Sequence, residues 1–262
     1  MVNNSRRYPF YILALILSAV SFVPLLFLGV SSIAANWRFP ILVPTEFSLR
    51  TWSYLFSNTS GVTASFGNSI GIAFAVSVIA VLISLPAGRV LALNEFRGRR
   101  AVMFLLILPV LLPSFAVATG GHALFLRYGL TDSLAGVIGV HLIPTIPYCV
   151  LLLTGSFGRL DTDFEAQART LGAAPFAVFR HVTFPAIAPG VAVAAAFAFL
   201  ISWSQYLTTL FVGGGNIQTL PLALVSFQRG SDDAMTAALT LIFIAPAILV
   251  FIAVAKFLRN EN

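Results

Sequence analysis

Apolar residues occur along this chain in long blocks, and six of the blocks are long enough to cross a bilayer. A membrane-spanning helix needs about 20 consecutive apolar residues. The six blocks cover 10–33, 66–88, 101–126, 133–158, 188–212 and 234–256. The longest stretch without charged residues, 181–228, is interrupted by three glycines at 213–215. We therefore predict one helix in it, followed by an outside segment. The pattern predicts an all-α fold, a polytopic membrane bundle of six transmembrane helices in a single domain over 1–262.

Composition indicates that the bilayer is the solvent for most of the chain. Hydrophobic residues make up 58% of it and charged residues 9%, whereas a soluble domain has about 25% charged residues. The first block follows Arg6 and Arg7, as the core of a cleaved signal peptide would. It is too long for such a core and has no small-residue cleavage site at its end, so we predict a retained first span.

The basic residues indicate how the bundle is oriented. Six spans put both termini on one side, and eleven basic residues lie on that side: Arg6, Arg7, Arg89, Arg97, Arg99, Arg100, Arg159, Arg169, Arg180, Lys256 and Arg259. Four lie on the other side: Arg38, Arg50, Arg127 and Arg229. Cytoplasmic loops are enriched in Lys and Arg, so we predict that both termini are cytoplasmic. A nucleic-acid binder would concentrate these residues in one stripe, and that class is excluded.

The segment between the fourth and fifth spans, 158–189, is longer than a connecting turn requires, and long loops are usually functional. Residues 162–171 have a helical composition. Asp161, Asp163 and Glu165 stand at the start of this helix, where negative charge suits the helix dipole. We therefore expect these acids to cap the helix rather than to form a carboxylate site.

A second short helix is predicted over 175–182. Gly172 permits a sharp turn between the two helices, and a proline suits the first position of the second. Phe176, Phe179 and Val182 then share one face of a segment outside the membrane. This apolar face fits either a groove on a partner protein or the lipid interface, with the loop arginines at the headgroups. Periodicity leaves both readings open.

The same segment resembles the EAA loop of permease subunits of binding-protein-dependent ABC importers. In that loop Glu-Ala-Ala is followed after three residues by Gly, and nine residues later by Ile-x-Leu-Pro. Nine residues separate Gly172 from Val182, which begins Val-Thr-Phe-Pro, and this fits the second half. In the first half Ala166 occupies the glutamate position, Glu165 stands one residue earlier, and Gln167 replaces an alanine.

Further matches to this family occur in order along the chain. They are Phe66-Gly67-Asn68-Ser69-Ile70, Leu108-Pro109 with Leu112-Pro113, Pro147-Tyr148, Thr208-Thr209-Leu210-Phe211 and Thr219-Leu220-Pro221. The last two resemble the branch that handles polyamines, ferric iron and thiamine. The resemblance implies the type I ABC importer permease fold, in the bacterial cytoplasmic (inner) membrane.

The family resemblance also implies partners and a coupling site. The expected partners are ABC ATPase subunits, a second permease subunit of the same or a similar kind, and an extracytoplasmic solute-binding protein. The ATPases would dock on the 158–189 segment, and its expected coupling residues are Glu165, Ala166, Ala168, Gly172, Phe176, Phe179, Val182, Phe184 and Pro185.

The chain has no means of hydrolysing ATP by itself. A P-loop needs a lysine that reaches the phosphates, and the only lysine, Lys256, ends the last span and precedes Phe257. We therefore expect a non-enzymatic subunit without a cofactor, with ATP and Mg held by a partner ATPase. His122 and His141 lie in separate segments and are expected to pack between helices or to line a cavity, not to bind a metal.

A polar and aromatic patch in the fifth span is the candidate lining of a substrate path. It comprises Trp203, Ser204, Gln205 and Tyr206, together with Asn68 from the second span. Hydrogen bonding between helices is the alternative role. A stand-alone secondary transporter or channel is the alternative function, and such a transporter would place ionisable residues inside its spans. A membrane enzyme would cluster histidines or acids at one membrane face.

Overall fold

The computed structural model describes residues 8–35, 37, 41–230 and 232–260, and most of them are helical. Arg6, Arg7 and Arg38, which contribute to the predicted orientation, lie outside the described residues. The helices are α1 (Tyr8–Ile33), α2 (Arg50–Leu55), α3 (Val62–Leu93), α4 (Arg99–Leu111), α5 (Ser114–Arg127), α6 (Leu134–Phe157), α7 (Asp163–Thr170), α8 (Pro175–Val178), α9 (Phe184–Trp203), α10 (Leu207–Val212), α11 (Leu220–Arg229) and α12 (Asp233–Asn260). Strands β1 (Ala34–Ala35) and β2 (Glu46–Phe47) pair antiparallel.

The chain forms two compact units, of which the first covers 1–63 and 223–246. In its described part, the β1–β2 hairpin follows α1 directly. The Trp52 indole N–H donates to the Ser32 hydroxyl over 3.3 Å, which ties α2 to the end of α1. The Asp232 carboxylate accepts from the Met235 N–H at 3.0 Å. Asp232 is therefore the N-cap of α12, a position at which aspartate is preferred.

The second unit covers 64–222 and 247–262 and contains the larger apolar core. Buried residues from three helices form that core: Ala80 and Val81 of α3, Cys149, Leu153 and Phe157 of α6, and Ile187, Ala194 and Ala198 of α9. Small residues let these helices approach closely, as is usual inside membranes. A Cβ added to Gly88 of α3 would lie 2.9 Å from the Leu153 Cβ, so the two backbones leave no room there.

Among the described residues, four helices are long and apolar enough to span a membrane: Val62–Leu93, Leu134–Phe157, Pro175–Trp203 and Asp233–Arg259. The α4–α5 pair counts as a fifth if it is taken as one bent span. The described side chains of α1 give a shorter apolar stretch, Phe22–Ile33. The multi-pass helical architecture is thus confirmed, and the number six stays a prediction.

The third predicted span, 101–126, is not one helix. It is divided into α4 and α5, which meet at an angle of 102°. The break falls at Leu112, which is extended at φ −78° and ψ 142°. Pro113 explains this conformation, because a proline disfavours the helical region for the residue before it.

The fifth predicted span, 188–212, differs from the structure at both ends. At its start, α8 runs through a π-helical turn (Phe179–Thr183) directly into α9, so the predicted helix 175–182 is the first part of a longer one. At its end, α9 stops at Trp203 and the chain turns before α10 begins. The Ser204 hydroxyl donates to the Ile201 carbonyl at 3.1 Å. Serine side chains that bond to nearby backbone compete with a continuing helix in this way.

Candidate functional site

The turn between α7 and α8 has the conformation that its glycine predicts. Gly172 has φ +84°, a left-handed value. Its N–H donates to the Arg169 carbonyl at 2.9 Å, and the next N–H, of Ala173, donates to the Ala168 carbonyl at 3.1 Å. These bonds close the end of α7 in the manner of a glycine C-cap. Pro175 occupies the first turn of α8, as predicted.

The Glu165 carboxylate is the centre of a hydrogen-bonded cluster in the second unit. Arg89 donates to it from α3 through both guanidinium arms, over 2.8 Å to Oε1 and 2.6 Å to Oε2. The Thr183 hydroxyl donates to Oε1 at 2.5 Å. Glu165 is only 4% exposed. The prediction that it caps α7 is therefore wrong, although Asp161 does accept from the Asp163 N–H at 3.0 Å.

These contacts determine the charge state of Glu165. The hydrogen bonds from Arg89 lower the pKa of this carboxyl from 4.5 to about 2, with a further lowering by the Thr183 hydroxyl and by the charges of Arg89 and Arg169, against the opposing effect of burial. Hydrogen bonds to the ionised form and nearby positive charge both favour the carboxylate. Glu165 is therefore ionised at any physiological pH.

The opposite face of the α7–α8 segment is apolar and exposed. Phe164 is 59% exposed, Leu171 88% and Phe176 72%. Phe179 is less exposed and packs against Phe184, with their ring centroids 6.0 Å apart. Of the other predicted coupling residues, Ala166 and Pro185 are exposed, while Ala168 and Val182 are half-buried. The apolar face thus extends beyond the predicted stripe to include Phe164 and Leu171.

The polar patch at the end of the fifth span is divided by the turn between α9 and α10. Trp203 is 2% exposed and packs against Phe66 and Phe199, with centroid distances of 5.9 and 6.0 Å. Trp203 is therefore buried between aromatic side chains in this conformation, and its role in lining a path stays a prediction. Ser204 is exposed at the turn, and the two residues that follow it are half-buried.

The remaining predicted lining residues have hydrogen-bonded surroundings. The Gln205 side-chain oxygen accepts from the Thr208 hydroxyl at 2.7 Å. Asn68 is exposed and donates to the Gln218 carbonyl at 2.9 Å, which ties α3 to the segment before α11. The neighbouring Ser69 hydroxyl accepts from the Leu220 N–H at 2.8 Å. The Asn-Ser pair thus connects the start of α3 to the chain beyond the turn.

His141 of α6 bridges the two helices on either side of that turn. Its Nδ1 lies 2.9 Å from the Ser202 hydroxyl and its Nε2 lies 2.9 Å from the Thr209 hydroxyl. The Thr209 hydroxyl donates to the Gln205 carbonyl at 3.1 Å, so it accepts from His141. This assigns the proton to Nε2 and makes Ser202 the donor to Nδ1. The neutral ring packs between helices, in agreement with its prediction.

Sequence reasoning missed Arg89 and Thr183 as partners of Glu165, and it missed the hydroxyls that hold His141. Arg89 entered only the count of basic residues. One available signal was its place at the end of an apolar span, since a charge there needs a partner or water. The hydroxyls gave no comparable signal, because Ser and Thr are common between membrane helices.

Comparison with known proteins identifies the family. Residues 84–260 match the model of the family described as binding-protein-dependent transport system inner membrane component. The molybdenum transport system permease protein ModB of Mycobacterium tuberculosis is 32% identical over 204 residues, which cover 71% of this chain and 76% of that protein. The spermidine/putrescine transport system permease protein PotC of Haemophilus influenzae is 24% identical, over 82% of this chain and 84% of that protein.

Solved structures show the same fold. A chain of the bacterial ABC transporter involved in the import of the acidic polysaccharide alginate matches with a TM-score of 0.75 and 19% identity, over 98% of this chain and 99% of that one. The MetNI methionine ABC transporter matches with a TM-score of 0.61 and 15% identity, over 76% of this chain. Because the family model covers more than half of the sequence, this chain belongs to the inner membrane components of binding-protein-dependent transport systems, as the permease subunit of an ABC importer.

Proposed function

We propose that the α7–α8 segment of this permease is the docking site for a separate ATPase, and that the subunit couples ATP hydrolysis there to movement of its spans. The observation behind the proposal is that three apolar side chains are exposed on α7, on the turn after it and at the start of α8: Phe164, Leu171 and Phe176. An exposed apolar patch next to polar residues marks an interaction site. Aromatic residues that fill a partner's groove commonly dominate the affinity of such a site.

Charge favours a protein partner over the lipid interface. Helices that lie on a membrane surface have Lys and Arg along their polar face. The first turn of α7 instead contains acids, and of these Asp163 is exposed next to Phe164. This acidic start of α7 would be repelled by anionic headgroups, while the exposed Arg169 and Arg180 lie at the other end of α7 and in the π-helical turn. The acid beside an aromatic side chain suits a groove with a basic rim on a partner protein.

The ATP chemistry is assigned to the partner. The chain has no P-loop lysine, so ATP and Mg bind to the ATPase, and this subunit is neither an enzyme nor a cofactor protein. Substrate reaches the membrane on an extracytoplasmic solute-binding protein, and a second permease subunit completes the path. One of the solved structures similar to this chain is an alginate transporter in complex with a periplasmic protein bound to alginate pentasaccharide.

The orientation follows from the distribution of basic residues and puts both termini in the cytoplasm of the cell, with the subunit in the inner membrane. Single cysteines at Ser57 and Asn260, after replacement of Cys149, test this with an impermeant thiol reagent. Intact cells should be labelled at 57 and not at 260. Labelling at 260 alone would reverse the orientation.

The substrate path is assigned to the turn between α9 and α10. Ser204, Gln205 and Tyr206 present polar groups there on an otherwise apolar segment, and Asn68 lies exposed on α3. Gln205→Leu should reduce transport and leave the amount of bound ATPase unchanged. Normal transport by this variant would assign Gln205 to helix packing alone.

Docking is tested by Phe176→Ala, with Phe251→Ala as its matched control because both phenylalanines are 72% exposed. Each variant is reconstituted with the ATPase and the binding protein. Phe176→Ala should weaken ATPase binding about 30-fold, the equivalent of about 2 kcal/mol for a lost aromatic anchor. Phe251→Ala should bind it normally.

Two results would contradict the proposal. Wild-type ATPase binding together with wild-type stimulated hydrolysis in Phe176→Ala means that the segment is not the docking site. Loss of membrane contact by the segment, with ATPase binding unchanged, means that the segment lies on the lipid surface.

A further inference from the structure

The Glu165 carboxylate is turned away from the exposed apolar face and into the permease. It is 4% exposed, whereas the neighbouring Ala166 is exposed. Ala166 occupies the place where the EAA pattern has its glutamate. The acid of this chain is therefore one residue out of register, and a step of one residue turns a side chain by about 100° around a helix.

Three separate parts of the permease meet at this carboxylate. Arg89 reaches it from the last turns of α3, Glu165 itself lies on α7, and Thr183 lies in the π-helical turn that leads into α9. The Arg89 guanidinium also lies over the ring of Phe157 at the end of α6, 5.8 Å from its centroid. The ends of α3, α6 and α9 are thus joined to α7 through Arg89, Glu165 and Thr183.

The length of α3 leaves room for this junction outside the hydrocarbon. A helix of 32 residues is about 48 Å long, at about 1.5 Å per residue, whereas the hydrocarbon core is about 30 Å thick. Arg89 lies near the end of that helix and its side chain is 33% exposed. A charged pair can therefore form there without crossing the bilayer interior.

We propose that Glu165 and Arg89 are positioning residues inside the permease, which make the α7–α8 segment move as one body with α3 and α9, and that Glu165 makes no contact with the ATPase. This inference rests on the proposed docking of the ATPase on α7–α8. It adds that docking and transmission use different residues: the exposed aromatic face binds the partner, and the buried charged pair passes the movement to the spans.

The two members of the pair differ in exposure, and their removal should differ accordingly. If Arg89 is lost, the Glu165 side chain, which is 5% exposed, keeps only the Thr183 hydroxyl and the longer contact of 3.7 Å with Arg169, whereas Arg89 at 33% can be hydrated if Glu165 is lost. An unpaired buried charge is more costly than an unpaired charge at the surface. Arg89→Gln should therefore be the more damaging of the two single changes.

The test uses the full importer reconstituted with its ATPase and binding protein. Its variants are Arg89→Gln, Glu165→Gln, the double variant Arg89→Gln/Glu165→Gln, and Arg89→Lys. The matched control is Glu95→Gln, which removes an exposed ion pair with Arg99 elsewhere on the same side. The measurements are the amount of ATPase retained and the ratio of hydrolysis with binding protein to hydrolysis without it.

Both single variants should retain the ATPase, while the stimulation ratio falls about tenfold, within the range of couplings between distant sites. The double variant should be no worse than Arg89→Gln alone, because the two residues act as one pair. Arg89→Lys should restore only part of the ratio, since lysine does not form the paired hydrogen bonds. The control should match wild type.

The outcomes separate this inference from the proposed docking. If Glu165→Gln loses the ATPase as Phe176→Ala does, Glu165 contacts the ATPase and the inference is overturned. A wild-type stimulation ratio in both single variants, or strictly additive losses in the double variant, overturns it as well. If Phe176→Ala itself keeps its ATPase, it is the docking proposal that fails.

A variant that does not assemble is replaced by Thr183→Val, which should lower the ratio in the same direction.

Discussion

Two polar clusters hold segments of the second unit together, and they differ in charge. The cluster at the end of α3 is an ion pair with a hydroxyl donor, Arg89, Glu165 and Thr183. The cluster around His141, which links α6 to α9 and α10, is neutral. Charge occurs where one partner still reaches water, and neutral hydrogen bonds occur where the surroundings are buried. We therefore expect the charged cluster to join its helices more firmly than the neutral cluster joins those beside the proposed path.

The largest effect is expected from Thr183→Val, which removes one hydrogen bond to a buried carboxylate and keeps the shape of the side chain. Hydrogen bonds to charged groups contribute about 2 kcal/mol. Titration of the purified subunit with a denaturing detergent should show a loss of that size in the free energy of unfolding. Thr183→Ser should recover most of it. A loss below about 0.5 kcal/mol would remove the energetic distinction between the two clusters.

His141→Leu removes two hydrogen bonds from the neutral cluster and should cost less than Thr183→Val. Hydrogen bonds between membrane helices contribute about 0.6 kcal/mol each on average, so the expected loss is about 1 kcal/mol. The same detergent titration measures it, with Leu142→Ile beside it as a control for packing. If His141→Leu lowers the free energy of unfolding by more than Thr183→Val does, the neutral cluster contributes more to stability than the charged one.

Gly172→Ala tests whether the charged region depends on the direction of its turn. No atom lies within 4 Å of the place where the new Cβ would be, so the cost is backbone strain alone at φ +84°. That strain is about 1 kcal/mol. ATPase binding should fall modestly, and far less than in Phe176→Ala. Loss as complete as in Phe176→Ala would mean that the turn angle, not the aromatic face, limits docking.

A pH dependence is expected of the charged cluster alone. Because the folded pKa of Glu165, about 2, lies below its ordinary value of 4.5, its stabilisation is present above pH 4.5 and lost as the pH falls toward 2. The stability difference between wild type and Glu165→Gln should be constant above pH 4.5 and shrink below it. Phe251→Ala should differ from wild type by a constant amount. A constant difference for Glu165→Gln would mean that its carboxyl is not ionised in the pair.

Local features of both regions were predictable, and their long-range contacts were not. Gly172 and Pro175 have the conformations that their residue types favour, and the family match confirms the resemblance of the α7–α8 segment. Arg89 and Glu165 are 76 positions apart, so no periodicity connects them. The end of α9 at Trp203 was equally unpredictable from the sequence, because no glycine or proline follows it directly. There the hydrogen bonds of hydroxyl side chains decide where the helix stops.

The continuity of α8 with α9 has a mechanical consequence. Pro175–Trp203 is one helix of 29 residues, about 43 Å from end to end at about 1.5 Å per residue. If the joined segments tilt together about the Thr183 end, most of the length of this helix lies on the far side of the pivot. Tilting an arm of about 30 Å, the 20 residues of α9, by about 10° displaces its tip by about 5 Å. A small rocking of the short end is thereby magnified at Trp203, next to the turn that bears Gln205 and Tyr206.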